Sequence, residues 1–262
     1  MNRLKEIFQK RATKLLSIYC TAGYPQLDST LEVMKALQQN GADMIELGMP
    51  YSDPLADGPV IQMSNSIALK NGMTISKLFE QLKGFRRNSP LGDGGISIPV
   101  ILMGYMNPVL QYGFEKFCAD AAAVGIDGLI LPDLPPYEFE TGYGAIIKKY
   151  GLDFIFLVTP ETSDDRIKKL DNLSSGFLYA VSSSSTTGSN KAANTEDYLK
   201  RLRKLELKNP ILVGFGISTK RSYDAVCQYA DGAIIGSAYI KALENNADVK
   251  AATKSFLSSI LS

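Results

Sequence analysis

The sequence predicts an α/β protein, a single (β/α)8 TIM barrel with an extra N-terminal helix, spanning residues 1–262 as one catalytic domain. Three observations lead there. Eight short apolar runs recur along the chain, and amphipathic segments lie between them. The runs are apolar almost throughout rather than alternating, which marks parallel strands buried on both faces. Shared among eight units, 262 residues give roughly 33 per unit, close to one strand-helix repeat of such a barrel. An open doubly wound sheet is the competing architecture, but no GxGxxG follows the first strand and the strand count suits closure.

The N-terminal MNRLKEIFQKRATK has no apolar signal core and contains Glu6, so Leu4, Ile7 and Phe8 read as the inner stripe of a short packed helix. The strands that follow are LLSIYC (15 to 20), DMIEL (43 to 47), IPVILM (98 to 103) and DGLIL (127 to 131). Then come DFIFLV (153 to 158), GFLYAV (176 to 181), PILVGF (210 to 215) and DGAIIG (231 to 236). Of the helices, LDSTLEVMKALQQNG carries an N-cap candidate in Asp28 or Ser29 and a stop at Gly41. GFEKFCADAAAVGIDG, PYEFETGYGAIIKKYG and STKRSYDAVCQYADG share that design, although Gly142 and Gly144 weaken the second. A G-x-D or A-D-G entry recurs before strands, in GADMIEL, GIDGLIL and YADGAII. RLRKLELK (201 to 208) reads as a solvated helix face.

Bulk properties narrow the function. A net charge of +1 gives no electrostatic footprint for nucleic acid or a membrane surface, so a small-molecule partner is expected. No run approaches the length of a membrane span. Cys20, Cys118 and Cys227 are far apart and lack ligand spacing, which predicts buried reduced thiols, a reducing compartment and a cytoplasmic location. Histidine is absent, which removes the usual general base, the usual zinc ligand and the Ser-His and Cys-His nucleophile pairs. Proton transfer must fall to carboxylates, tyrosine, lysine or cysteine.

In an eightfold barrel the reactive groups stand at the carboxyl ends of the strands. Glu46 shares a side of strand two with Met44, while Ile45 and Leu47 take the other. A carboxylate among apolar strand ends is either a general acid-base or half of a buried ion pair, because desolvation favours its protonated form. Asp53 and Asp57 follow in YSDPLADGP, where Asp-Pro and Asp-Gly are also ordinary turn dipeptides. After strand seven stands GFGIS (214 to 218) and after strand eight GSA (236 to 238), the two loops that form the usual phosphate site of such barrels. Their glycines let backbone N–H groups approach an anion at a helix start. Thr187-Gly188, in SSSSTTGSNKAAN after strand six, could add a further N–H from a lid, although the composition would equally suit an idle loop.

Assembled in order, the motifs resemble those of the tryptophan synthase alpha subunit family over essentially the whole chain. They are TAGYP, IELGMPYSDPLADGP, GYMNP, PDLP, TG, GFGIS and GSA. The resemblance implies a lyase that splits indole-3-glycerol phosphate into indole and glyceraldehyde 3-phosphate, with no metal or organic cofactor in this chain. It assigns the acid-base to Glu46 and the second catalytic carboxylate to Asp57. Tyr179 would sit near the reacting centre, with Phe215 beside the indole and Thr187 in the lid. Gly188, Gly216, Gly236 and Ser237 would meet the phosphate. Tyr19, Met103, Ile130 and Ile234 would supply the apolar floor. The partner implied is a pyridoxal-phosphate beta subunit in an alpha2-beta2 heterotetramer, to which free indole is passed. Two features depart from the family: Ser183 and Ser185 precede TG where a basic residue or glycine is frequent, and RRNSPLGDGGIS before strand three is long. The alternatives are a stand-alone indole-releasing lyase, a non-catalytic regulatory barrel, and another phosphosugar barrel. Intact Glu46 and Asp57 argue against the second, and the DPLADGP loop against the third.

Overall fold

The structure is a computed structural model that describes the chain except residues 1, 12, 88–93, 182–190, 215, 245 and 247, and without the side chains of 191–194. Its strands are β1 (Leu15–Thr21), β2 (Met44–Gly48), β3 (Val100–Met103), β4 (Gly128–Ile130) and β5 (Asp153–Phe154). They continue with β6 (Leu157–Val158), β7 (Leu178–Val181), β8 (Ile211–Gly214) and β9 (Gly232–Ile235). The helices are α1 (Arg3–Lys10), α2 (Thr30–Gln39), α3 (Pro59–Lys70), α4 (Ile75–Leu82), α5 (Met106–Tyr112), α6 (Phe114–Val124) and α7 (Pro136–Glu138). After them come α8 (Gly144–Lys149), α9 (Asp164–Leu173), α10 (Lys191–Lys204), α11 (Lys220–Val226), α12 (Ser237–Glu244) and α13 (Val249–Leu261).

All strand pairings are parallel, in the order β5-β4-β3-β2-β1-β9-β8-β7-β6. The expected fifth strand, 153 to 158, is divided. Its first half pairs with β4 and its second with β7, and the pairing runs on through Ile155 N–H to Leu129 O at 3.0 Å and Tyr179 N–H to Phe156 O at 3.0 Å. One run therefore changes neighbours partway along and closes the curled sheet, so eight apolar runs yield nine strands.

The alternation of side chains sorts the core into two. Leu15, Met44, Ile101, Ile130, Phe177, Leu212 and Ile234 fill the barrel interior, whereas Ile18, Ile45, Leu47 and Leu102 pack outward with the helices. Leu4 joins the interior cluster, with Ile7 and Phe8 packed against it, so α1 stoppers the barrel as its apolar stripe predicts. Asn2 donates to Asp153 and Arg3 pairs with Asp127, tying α1 to the N-terminal ends of β4 and β5.

The recurring aspartate before strands has one structural purpose. Asp43, Asp127 and Asp231 each accept a backbone N–H from the start of the preceding neighbour strand, at Leu16, Val100 and Ile211 respectively. These N–H groups lie where the ladder begins and would otherwise be buried without a partner.

Several local expectations need adjustment. Ser29, not Asp28, stands at the N-cap position of α2 after a single 3₁₀ turn over Leu27–Ser29, but its side chain makes no capping bond to α2 and instead accepts from Gln26 N–H at the start of that turn. PYEFETGYGAIIKKYG is not one uniform helix: a π-helical stretch, Phe139–Tyr143, which contains Gly142, separates α7 from α8, which opens on Gly144. RLRKLELK is not simply a solvated face. Helix α10 ends at Lys204, Leu202 is buried, and Arg201 donates to Pro160 O, Thr162 O and Asp164. Cys20 and Cys118 are buried thiols, but Cys227 is only half-buried.

Candidate active site

A cavity of about 560 Å³ opens at the carboxyl ends of the strands. Tyr19, Met103, Tyr179 and Ile234 form its apolar walls, each from the inner face of a different strand or strand end. Asp57, with Ala56, Gly58 and Ile61, borders it from the loop after β2 and the start of α3. Gly216, Gly236 and Ser237 border it from the loops after β8 and β9. Gly216 holds φ +76, a left-handed conformation that L side chains rarely adopt. The first residue of α12 is Ser237, so the positive end of that helix faces the cavity. Phe215, Thr187, Gly188, Ser183 and Ser185 lie outside the described residues.

Two expected site residues do not line this space. Ile130 is fully buried in the barrel interior. Glu46 is 0 % exposed and sits opposite Tyr19 in the β1–β2 register, on the inner face with Met44. Its Oε1 accepts from Ser17 Oγ at 3.1 Å, and Ser17 lies two residues nearer the strand start than Tyr19. Its Oε2 has no hydrogen-bond partner among the described residues, and no cation pairs with it there. The buried ion pair that could have explained this carboxylate is therefore not found among those residues.

Burial pushes the Glu46 carboxyl up to about 8, opposed only by the Ser17 hydroxyl. Asp57 is half-buried and is pushed up to about 6 by desolvation, while the Tyr105 hydroxyl favours its charged form. The Tyr105 hydroxyl is itself buried with no hydrogen bond of ordinary geometry among the described residues. Tyr179 is driven far above the usual phenol range by burial and then by the charges of Glu46 and Asp57, so it stays protonated. Cys20 is pushed up to about 12 by burial and by Glu46, which disqualifies it as a thiolate nucleophile at neutral pH.

Two tyrosines owe their poses to glycines on the next strand. A Cβ at Gly48 would lie 2.1 Å from the Tyr19 hydroxyl oxygen, and a Cβ at Gly214 would lie 2.1 Å from that of Tyr179. Each ring leans over the end of its neighbouring strand through space that only glycine leaves open. Sequence reasoning placed Gly214 and Ser218 in the loop GFGIS without this steric part for Gly214, and it missed the part of Gly48, together with Ser17, Tyr105 and the cavity-lining Lys241. For Ser17 a signal existed: a polar residue inside an apolar strand, two positions from Tyr19 and so on the same face.

Comparison with known proteins identifies the family. The family model described as "Tryptophan synthase alpha chain" matches residues 5–259. The tryptophan synthase alpha chain of Flavobacterium johnsoniae is 50% identical over 252 residues, covering 95% of this chain and 96% of the relative. That of Christiangramia forsetii is 52% identical over 248 residues, covering 94% of each. Among solved structures, tryptophan synthase subunit alpha from Legionella pneumophila superposes with a TM-score of 0.86 at 36% identity, covering 99% of this chain and 97% of that one. Tryptophan synthase from M. tuberculosis in an aminoacrylate-bound form gives 0.84 at 31% identity, covering 99% and 98%. On its fold, its cavity and these likenesses, the chain belongs to the tryptophan synthase alpha chain family.

Proposed function

We propose that this cavity is where the chain performs the alpha reaction of tryptophan synthase, the cleavage of indole-3-glycerol phosphate to indole and glyceraldehyde 3-phosphate in L-tryptophan biosynthesis. Glu46 is the acid-base and Asp57 the counter-charge. The observation that carries this reading is the fully buried Glu46 on the inner face of β2, which no cation pairs among the described residues, with Asp57 at the cavity a loop away.

Protonation of the indole C3 gives an indolenine cation. A base then takes the proton of the adjacent chain hydroxyl, its O–H electrons form the aldehyde C=O, and the breaking C–C bond returns its pair to the ring. One proton thus moves from oxygen to carbon. Glu46, holding its proton up to about 8, gives one to C3 and receives one from the hydroxyl, so it ends as it began. To do so its carboxyl turns from Ser17 toward the cavity. Asp57 accepts from the ring N–H, where positive charge develops, in a site from which the ligand excludes water. Tyr19, Met103, Tyr179 and Ile234 take the ring, while Ile130 supports that floor from beneath. The phosphate binds at Gly216, Gly236 and Ser237, and the resemblance adds Gly188, Thr187 and Phe215 to the same ligand.

Family membership implies a beta subunit as partner. We take that subunit to carry the pyridoxal phosphate, the assembly to be alpha2-beta2, the location to be cytoplasmic, and residues 1–262 to act as one catalytic domain. No helix among the described residues is long and apolar enough to cross a membrane. The test is incubation with indole-3-glycerol phosphate, alone and with the beta subunit, while indole release is followed. Indole in both arms, faster with the partner, is expected. Release unaffected by the partner would mark a stand-alone lyase, and no indole in either arm would refute the assignment.

A further inference from the structure

Tyr19 is more than an apolar wall. Its ring begins beside the phosphate end of the cavity: a Cβ at Gly236 would stand 3.4 Å from the Tyr19 Cβ. Its hydroxyl ends above Gly48, the last residue of β2, from which the chain runs into the loop that carries Asp57. The wall that Tyr19 forms thus runs between Gly236 and the end of β2, alongside a ligand that reaches from Gly236 and Ser237 to Asp57. The part of the ligand beside this wall is the polyol joining ring to phosphate.

The Tyr19 hydroxyl also keeps its hydrogen available. Ser64 Oγ donates to Ile61 O at 2.8 Å, which commits its only hydrogen. Thr21 Oγ1 lies 2.7 Å from Ser64 Oγ, so in that contact Thr21 is the donor. With its hydrogen toward Ser64, Thr21 leaves only a contact of 3.5 Å to the Tyr19 hydroxyl oxygen, one in which Tyr19 would be the acceptor, so it does not occupy the phenol hydrogen. Burial, followed by the charge of Asp57, raises the phenol far above its usual range, and it remains an O–H donor at any working pH.

We infer that the Tyr19 hydroxyl is a specificity-determining hydrogen-bond donor to a hydroxyl of the ligand's polyol chain, and that Gly48 positions it by leaving the space the phenol crosses. This rests on the assignment of the cavity to indole-3-glycerol phosphate. The pairing of one wall hydroxyl with one ligand hydroxyl makes it separable from that assignment.

The experiment compares two ligands: indole-3-glycerol phosphate, by KM and kcat, and 3-(indol-3-yl)propyl phosphate, which lacks the chain hydroxyls, by its inhibition constant. Tyr19→Phe keeps the ring and removes only the donor. It is expected to weaken the polyol ligand roughly three- to tenfold, the worth of one neutral hydrogen bond, and to leave the propyl ligand unchanged. Gly48→Ala displaces the whole ring, so both ligands weaken, but the ratio of their affinities falls to the Tyr19→Phe value. The double variant Gly48→Ala with Tyr19→Phe shows no further fall in that ratio. An unchanged ratio in Tyr19→Phe, whether both ligands shift equally or neither shifts, overturns the inference. Failure of the unsubstituted protein to release indole refutes the cavity assignment instead.

Discussion

Glu46 is held where its chemistry is costly to the fold. The folded protein keeps its proton up to about 8, whereas an ordinary glutamate gives it up near 4.5. Stability from this group is therefore full below 4.5 and is lost as pH rises through about 8. Glu46→Gln should be more stable than the parent by on the order of 3–5 kcal/mol at alkaline pH, with the difference vanishing toward acid. Denaturant unfolding at several pH values checks this, and a pH-independent difference would contradict it. The same substitution should retain ligand binding while turnover falls by about 10²- to 10⁴-fold in an indole-release assay. Near-normal turnover would remove Glu46 from the mechanism. Catalysis needs Asp57 ionised and Glu46 protonated, so kcat/KM should rise with pH through about 6 and fall through about 8. Asp57→Asn should abolish the acid limb together with most of the activity.

Among the elements, the connection into β3 shows how an excursion is contained. Its segment RRNSPLGDGGIS includes residues 88–93, which lie outside the described ones, yet both ends are pinned. Ile96 N–H donates to Phe85 O at 2.9 Å, and Arg86 donates to Ile96 O at 2.9 Å, Ile98 O at 2.7 Å and Gly125 O at 2.9 Å. Arg86 also pairs with Asp127, both side chains being largely buried, and burial lowers the guanidinium to about 10. Arg86→Met leaves Asp127 short of one cation and strands three carbonyls. It should cost about 3–5 kcal/mol, read as a lower denaturation midpoint with the far-UV spectrum retained. A shift under 1 kcal/mol would mean that water or Arg3 replaces it.

For the whole molecule, the face that bears the cavity also bears exposed apolar side chains. Leu55 is 90% exposed, Tyr137 71% and Leu110 46%, and they follow β2, β4 and β3, neighbouring strands of the sheet. Large apolar groups gathered at one end suit a protein partner, which the family supplies as the beta subunit. Tyr137→Glu, at a residue that does not line the cavity, should weaken activation by that subunit about tenfold or more while the unassisted rate is kept. Titrating the subunit into an indole-release assay measures both, and an unaltered titration would place the interface elsewhere.

What the residues could say unaided was considerable. Apolar runs have a length and a period, so they gave the strands, the stripe of α1, and the side of strand two that Glu46 shares with Met44, because side-chain direction along a strand is set locally. Loop identity followed from chain order, so the loops carrying Asp57, Gly216, Gly236 and Ser237, which border the cavity, could be named beforehand. Contacts between distant strands carry no local signature, and these belong to the folded molecule alone. The strand-entry aspartates disclosed their purpose only when Leu16, Val100 and Ile211 came beside them. The division of the fifth strand depends on which neighbours each half meets. The turn of Glu46 toward Ser17 and the passage of Tyr19 over Gly48 depend on register between strands, a quantity fixed by closure of the barrel.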